Sequence, residues 1–351
     1  MRYLKVIFLV QILIVLTALN QLQARILRVG YNGAPLTGVD YANLAAAQTG
    51  ANAGDTIQVY GSVGSLNVTK KLVFIGFGFN LDIANTLQVN ALDIPSSATL
   101  SFREGSESSV VEGLQVDINL YISNVTIQRC RGSISLYNNT AAINNIKVIA
   151  CALTSMSMIS STGFPCTNFR MSNCIFSGSV SFYLPGSSGL IENCVGSNYT
   201  GGYVNLNDAG FLVKNCILSG YNTNSINTIF NNNIFDVAQP SVLPLGNNNL
   251  WGQPYLNIFD ALGGTANAIT TYVGNGAFND RYCILKTGSP GINAGLDGTG
   301  APTDCGIFGG ELAYRYRISG IPAVPAIYKL TGSSATSGNP YNVTISVRSN
   351  N

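Results

Sequence analysis

Apolar and polar side chains alternate around a cysteine that returns every 20 to 23 residues along the middle of the chain. The five cysteines are Cys130, Cys151, Cys174, Cys194 and Cys216. The residue three places before each cysteine is always apolar, and the residue two places before it is polar in four of the five cases. Such alternation is typical of short strands with one buried face and one outward face.

Asparagine stands directly before three of these cysteines, at Asn173, Asn193 and Asn215. Asparagine tolerates the left-handed backbone conformation, so it suits a sharp bend between two strands. The cysteine is then the first inward side chain after the bend, and we expect the five thiols to form a buried stack. A repeat of this length built of short strands predicts a solenoid, with roughly ten to twelve coils between about residue 55 and about residue 310.

The start of the chain has the layout of a secretory signal peptide. Two basic residues precede an apolar run from Val6 to Leu19, and Ala24 offers a small residue at a plausible cleavage point. We expect residues 1–24 to be removed, the mature chain to begin near Arg25, and the protein to be exported to the cell surface or the extracellular space. The alternative is an N-terminal membrane anchor. No later segment is long and apolar enough to cross a bilayer.

The composition limits the kinds of partner that the protein can bind. Charged residues make up only 10% of the chain, against about 25% in an average globular protein, and the net charge is +2. This charge gives no electrostatic basis for binding nucleic acid or an acidic membrane. Because 46% of the residues are hydrophobic, we expect a packed core beneath a surface of neutral amides and hydroxyls. Histidine is absent, which excludes mechanisms that depend on imidazole.

The eight cysteines of an exported chain could instead form a disulfide framework. A chain of this length can bury a core without such bonds, so we expect free thiols. Cys283 and Cys305, which lie outside the repeat, are the best candidates for a single bond. The sequence has no CxxC pair and no histidine, which argues against a zinc site. We therefore predict neither a metal nor a cofactor.

Stretches outside the repeat resemble a known group of proteins. The sequence AGDTI at 53–57 follows a helix-like segment near residues 40–49, and SPGINAG at 289–295 precedes DCGIFG at 304–309. These phrases resemble the opening and closing coils of bacterial right-handed parallel β-helix proteins of the pectate-lyase-like superfamily. The resemblance implies an all-β fold, a short helix over the first coil, and a β-helix that closes near residue 310.

We accordingly expect a signal peptide at 1–24, a parallel β-helix domain at 25–310 and a C-terminal tail at 311–351. The tail begins with a proline-rich stretch and ends in an alternating, strand-like pattern. A bare last coil would be an open sheet edge, so we expect the tail to pack on the β-helix or cap it. The alternative is that the tail docks a partner.

The clearest coils contain few residues with catalytic potential. Between Leu120 and Phe235 the only acidic residues are Glu192 and Asp208. Calcium takes six to eight oxygen ligands and glycosidic hydrolysis needs two carboxylates, so the usual groups of lyases and hydrolases are missing from these coils. Glu192 and Lys214 both stand two places before a cysteine, which predicts a modest surface ion pair between neighbouring coils.

The remaining acidic residues form two loose groups. Glu104, Glu107 and Glu112 are expected to form a solvated run near a turn. Asp297 and Asp304 could bind a cation, but the closing phrase of the resemblance gives Asp304 a different role, as an acceptor for backbone amides.

Two classes of function follow from these observations. The first is a non-catalytic surface or extracellular protein that binds a polysaccharide or a cell-envelope protein, or acts as a rigid spacer. The second is a carbohydrate-active enzyme, a polysaccharide lyase or a glycoside hydrolase, which the superfamily resemblance favours. The scarcity of carboxylates in the coils favours the first class. The sequence identifies no catalytic or ligand-binding residue.

Overall fold

The computed structural model of the protein describes residues 24–30, 40–61, 64–79, 98–138, 140–159, 163–196, 203–207, 209–222, 224–225, 227–260, 280–317, 326–332 and 343–348. The predicted signal peptide lies outside the described residues except for Ala24, as do Asp208 and most of the predicted tail.

Two long sheets of parallel strands make up the body of the protein, and the chain passes from one to the other in every coil. Sheet A contains ten strands: Ile26–Val29, Thr56–Val59, Val73–Ile75, Val110–Glu112, Thr126–Gln128, Lys147–Ile149, Phe169–Ser172, Ser188–Glu192, Gly210–Lys214 and Ile229–Asn231. Within it, Val148 pairs with Ile127 on one side and with Met171 on the other. Each coil therefore places the same repeat position on the same line.

Sheet B contains twelve strands, because two lines of short strands share its later coils. They are Leu66–Val68, Thr99–Phe102, Asp117–Leu120, Arg131–Leu136, Ala152–Met158, Ile175–Phe176, Val180–Phe182, Val195–Gly196, Tyr203–Leu206, Ile217–Leu218, Gly220–Tyr221 and Ile234–Phe235. A short parallel pair, Ile143–Asn144 and Cys166–Thr167, lies outside the two sheets. The predicted all-β, right-handed parallel β-helix is confirmed, and stacking of its coils explains why the sequence repeats.

A short helix covers the first coil, as predicted. It runs from Leu44 to Gly50, and the Asn43 side chain accepts the backbone N–H of Ala46 at 2.8 Å. This is the usual N-cap contact, which satisfies a donor that has no partner within the helix. Leu44 and Ala47 are buried against the coil. The N-terminal end of the β-helix is thus closed by an apolar helix face.

The extent of the coils differs from the prediction. Coils begin at Ile26 instead of near residue 55, and the last one bridges back to its neighbour through Leu245 and Leu250. Residues 285–310 were predicted to be closing coils, but residues 280–317 add no strand to sheet A or sheet B. We call residues 280–317 the return segment, because it runs back along one corner of the β-helix. Its only regular elements are the 3-10 helix Asp280–Cys283 and the antiparallel pair Gly295–Leu296 and Pro302–Thr303.

Two buried clusters hold these parts together. The larger fills the β-helix and includes stacked rings such as Phe169, Phe182 and Phe211, whose centroids lie 4.8 to 6.0 Å apart. The smaller joins the outer side of sheet B to the return segment and to the helix Tyr255–Ile258. A second hairpin pairs Ala326–Gly332 with Val343–Arg348. Among the described residues, no helix has the length and apolarity needed to span a membrane.

Candidate functional site

The five repeat cysteines lie in one buried line at the corner between sheet A and sheet B. The backbone N–H of Cys130 donates to the sulfur of Cys151 at 3.4 Å, and the same contact recurs from Cys151 to Cys174 at 3.4 Å. It continues from Cys174 to Cys194 at 3.5 Å and from Cys194 to Cys216 at 3.4 Å. Burial raises the pKa of the Cys194 and Cys216 thiols well above the ordinary value. These groups therefore stay protonated and serve as small acceptors inside the coil.

Asn233 takes the place of a sixth cysteine, since its side-chain oxygen accepts the Cys216 N–H at 2.9 Å. All eight cysteines of the chain are buried and free. Cys283 and Cys305 are therefore not bonded, contrary to their selection as the best disulfide candidates. The Cys305 thiol instead donates to the Asn232 carbonyl at 3.2 Å, which ties the return segment to the corner of the β-helix.

The asparagines before the cysteines have a second role that the sequence reasoning missed. Asn173, Asn193 and Asn215 adopt φ values of 54°, 51° and 56°, as expected for the bend. Their side-chain amides point out of the coil and bind the backbone of the return segment. Asn173 donates to the carbonyls of Ile307 and Gly309 at 2.8 and 2.9 Å.

The same contact continues along the corner. Asn193 donates to the Asp304 carbonyl at 3.2 Å, and Asn215 exchanges two hydrogen bonds with the backbone of Leu296, at 2.8 and 3.1 Å. A Cβ atom on Gly295 would lie 2.8 Å from Asn215 Cγ, so this close approach requires glycine. The SPGINAG and DCGIFG phrases are thus docking sequences on the side of the β-helix.

The sequence contained a signal for this docking. The residue after each cysteine faces outward, where a polar side chain would be expected on a solvent-exposed strand. It is instead apolar in four consecutive coils, at Ala152, Ile175, Val195 and Ile217, and all four are buried against the return segment and its neighbours. An apolar outward row indicates that another layer covers it.

A row of charged residues lies on sheet A beside the return segment. Glu192 accepts from Arg170 at 2.5 Å and from Ser172 at 2.8 Å, and its other oxygen lies 3.3 Å from the Lys214 ammonium. The Tyr314 ring of the return segment lies 4.3 Å from the Arg170 guanidinium carbon. The predicted pair of Glu192 with Lys214 exists, but it belongs to a largely buried network and is not a modest surface pair.

Glu112 was predicted to belong to a solvated run near a turn, and this prediction is wrong. Its carboxylate lies 2.6 Å from the Arg129 guanidinium and accepts from the Gln128 amide at 2.8 Å. Glu112 and Glu192 are therefore each held by an arginine, which favours their charged form and disfavours a role as general acid.

The acidic residues of the return segment stabilise turns. One Asp297 oxygen accepts the backbone N–H groups of Thr299 and Ala301 at 2.8 and 2.9 Å, and Asp304 accepts the Asn293 N–H at 2.9 Å. The hydrogen bonds from Thr299, followed by that from Ala301, lower the Asp297 pKa. The part of the chain that the structure describes contains no group of three or more Asp, Glu, Cys or His side chains able to hold a metal ion.

A small cavity separates the charged row from the return segment. Glu192, Lys214, Asp297, Glu311 and Tyr314 contribute to its lining, and its volume is about 10 Å³. That volume holds about one water molecule. A cavity of this volume is too small to hold a sugar ring.

The outward side of sheet B presents the largest regular array of polar groups, which we call the polar face. One residue from each of seven successive coils stands in register on it, and all are serine or asparagine. They are Asn67, Ser101, Asn119, Ser135, Ser157, Ser181 and Asn205. Coils repeat about every 4.8 Å, so the row offers a hydroxyl or amide at six of the seven steps along the rod, while Ser181 is buried.

A parallel row of larger side chains borders the polar face. Tyr121 and Tyr137 stack with centroids 4.3 Å apart, and the Arg103 guanidinium carbon lies 3.4 Å from the Tyr121 ring. Burial and the neighbouring Tyr121 hydroxyl raise the pKa of Tyr137. The Tyr137 phenol is therefore neutral at physiological pH, and its hydroxyl can donate and accept hydrogen bonds at the edge of the face.

The polar face could not be recognised in the sequence, because the number of residues between each cysteine and the serine of the row changes from coil to coil. Ser135, Ser157 and Ser181 follow their cysteines by five, six and seven residues respectively. A bulge between Leu153 and Met156 is one place where an extra residue enters the strand. Alignment on the cysteines therefore scatters the serines over several columns.

Comparison with protein-family models, with curated proteins and with solved structures gives no match to this chain. The assignment of a function therefore depends on the geometry of the described residues.

Proposed function

We propose that this protein is an exported, non-catalytic β-helix protein of the cell surface or extracellular space, and that its polar face binds an uncharged glycan. The observation that carries the proposal is the row of serine and asparagine in register along seven coils of sheet B, six of which reach the surface. Hydroxyls and amides both donate and accept, which matches the hydroxyl groups of a sugar chain. The resemblance to secreted β-helix proteins of the pectate-lyase-like superfamily supports export and a carbohydrate ligand, while the scarcity of carboxylates in the coils favours binding over cleavage.

The polar face is nearly free of charge, which favours a neutral ligand. The charged residues beside it are one carboxylate, Asp117, and one guanidinium, Arg103. One Asp117 oxygen accepts the Ser133 N–H at 2.8 Å, and Arg103 packs on Tyr121. Both charged groups thus have partners within the face, and neither faces a second carboxylate there as glycosidases require.

An extended ligand suits this surface better than a small one. A rigid array of donors and acceptors loses little conformational entropy when it binds, and many weak hydrogen bonds along a polymer add up to a useful affinity. We therefore expect a polysaccharide that lies along the rod, with its hydroxyls exchanging hydrogen bonds with several coils at once.

The test is incubation of the purified protein with a panel of neutral and acidic polysaccharides, followed for binding and for cleavage. We expect co-sedimentation with a neutral polymer, without unsaturated products or new reducing ends. The variant Ser135→Ala/Ser157→Ala should bind more weakly, because it removes two hydroxyls of the row. Thr126→Ala, which removes an outward hydroxyl from sheet A, is the control. Turnover that is lost when a residue of sheet A or sheet B is changed would instead establish a carbohydrate-active enzyme.

A further inference from the structure

The C-terminal end of the β-helix has apolar side chains in solvent, unlike its N-terminal end. The large hydrophobic residues exposed there are Ile229, Val237, Val242, Leu243, Leu245 and Leu250, which we call the end patch. Val242 is 81% exposed and Leu243 is 57% exposed. At the N-terminal end, by contrast, the helix Leu44–Gly50 buries its apolar side chains on the first coil. Apolar clusters of this kind mark sites of association.

A groove lies within the end patch. It has a volume of about 400 Å³ and is lined by Tyr221, Ser225 and residues 240–245. Tyr221 also packs against Phe230 and Trp251, with ring centroids 5.1 and 6.0 Å away, so the floor of the groove is fixed by the core of the last coils. The groove is therefore a preformed apolar surface and not a gap between mobile side chains.

Among the described residues, no strand pairs with the outer edge of the last coil. Within the described part of the chain, every hydrogen bond found for residues 245–250 goes back to the preceding coil, for example from Phe230 N–H to Leu245 O at 2.8 Å and from Leu250 N–H to Asn233 O at 2.8 Å. The outer edge of residues 245–250 therefore has no partner among the described residues. Such an edge is a template for pairing with another strand.

The charge and the amides of this end favour an identical partner. Between residues 227 and 259 the chain has a single charged residue, Asp236, so two copies brought end to end would experience little repulsion. The last coil also carries two successive exposed amides, Asn247 and Asn248, whereas the Asn249 amide is bonded to Phe230 and Asn233 of the preceding coil. An amide has both donors and an acceptor, so the same row on a second copy is complementary to it.

We propose that two copies of this chain associate through the end patch, with their last coils edge to edge about a two-fold axis. A two-fold interface uses the same surface on both copies, and antiparallel strand edges satisfy each other in that arrangement. The apolar side chains around Val242 and Leu243 of each copy then pack on the groove of the other. The result is a closed dimer, a rod of double length with two polar faces, which can hold one polymer at two places and gain avidity.

Sedimentation velocity of the full chain over a range of protein concentrations tests this proposal. We expect a concentration-dependent dimer in the wild type. Val242→Glu and, separately, Leu245→Lys should each weaken dimerisation by about tenfold or more, since each buries a charge in an apolar contact. Both side chains are exposed in the single chain, so thermal unfolding at low concentration should be unchanged. Leu312→Lys, at an equally exposed leucine on the return segment, is the control and should dimerise normally.

Three results would overturn the proposal. The first is a wild type that stays monomeric at every concentration. Hydrogen exchange that finds the amides of residues 242–250 protected in this monomer would show that another segment of the same chain covers them. The second is a dimer that survives both charge substitutions. The third is growth into long filaments, because a two-fold interface closes at two copies. Glycan binding by a monomeric protein would leave the proposed function intact, so the two proposals fail independently.

Discussion

The side-chain amide of Asn173 donates to the carbonyl oxygen of Ile307, 2.8 Å away in space and 134 residues further along the chain. The same nitrogen reaches Gly309 at 2.9 Å. Ile307 is itself buried in the cluster that joins sheet B to the return segment. A residue that forms the bend in one coil therefore also fixes a distant segment, and both roles depend on the left-handed conformation that directs the amide outward.

We expect Asn173→Ala to loosen the return segment. The change removes a hydrogen bond from each of two buried carbonyls, of which Ile307 keeps the Tyr316 N–H at 3.0 Å. This loss costs about 1–3 kcal/mol, in addition to about 1 kcal/mol for alanine at positive φ. Asn248→Ala is the matched control, because Asn248 has a φ of 56° and an exposed side chain. Chemical denaturation gives the difference between the two variants. Equal destabilisation by both would show that the contact with Ile307 contributes nothing.

Glu192→Gln should destabilise the protein by about 1–3 kcal/mol, because charged hydrogen bonds to Arg170 and Lys214 are replaced by weaker ones. Glu104→Gln, at an exposed turn residue, should have an effect near zero. Loss of stability should be accompanied by faster proteolysis of the return segment, since Tyr314 packs on Arg170. If Glu192→Gln leaves the free energy of unfolding unchanged, the cost of desolvating the charges of Arg170, Glu192 and Lys214 cancels their attraction.

The fold could be predicted from the sequence because the β-helix repeats one local pattern. Strand alternation and the bend before each cysteine are properties of a few adjacent residues, and stacking then imposes the same register on every coil. The start of the coils at Ile26 was missed, since the early coils lack both cysteine and the asparagine bend.

The site was far less predictable, because it depends on contacts between distant segments. Nothing in the local sequence of residues 289–309 specifies whether these residues add a coil or pack on its side. Only the apolar outward residues after the cysteines, such as Ile175 and Ile217, indicated a covering layer. The polar face was hidden for a different reason, since its distance from the cysteines shifts with each bulge.

The first coil should loosen in acid through Asp55. Burial alone would raise the pKa of this carboxyl group, but hydrogen bonds from the Arg25 and Asn52 N–H groups and from the Arg25 guanidinium outweigh it and lower the pKa. A lowered folded-state pKa contributes stability above the unfolded value of about 3.9, and this stability is lost as the pH falls through the folded-state pKa.

Hydrogen exchange of the amides of Ile26–Val29 measures this effect. Protection should fall in acid below about pH 4 in the wild type. In Asp55→Asn the protection of these amides should already be low at neutral pH, and it should change less as the pH is lowered. Asp297→Asn, at an exposed turn whose carboxyl pKa is also lowered, should leave the first coil unchanged. A first coil with the same pH dependence in wild type and Asp55→Asn would rule out this role for Asp55.

Cleavage after Ala24 should strengthen the contact between the Arg25 nitrogen and the Asp55 carboxylate. The Arg25 nitrogen already lies 2.8 Å from an Asp55 oxygen, and cleavage would convert it into a charged amino group at that position. We expect mass spectrometry of exported protein to find a mature chain that begins at Arg25. A version with one extra N-terminal residue should unfold at a lower denaturant concentration. An intact Met1 on protein recovered from the cytoplasm would contradict the proposed export.

The affinity of the polar face for a neutral polysaccharide, measured by calorimetry at low and high salt, tests the central claim most directly. Because the contacts are uncharged, the affinity should change by less than about twofold between ~50 and ~500 mM salt. It should fall by about tenfold or more in Ser135→Ala/Ser157→Ala, at about 1 kcal/mol per hydroxyl, and remain unchanged in Thr126→Ala. Binding that disappears with salt, or that is equally strong in the serine variant, would contradict the account.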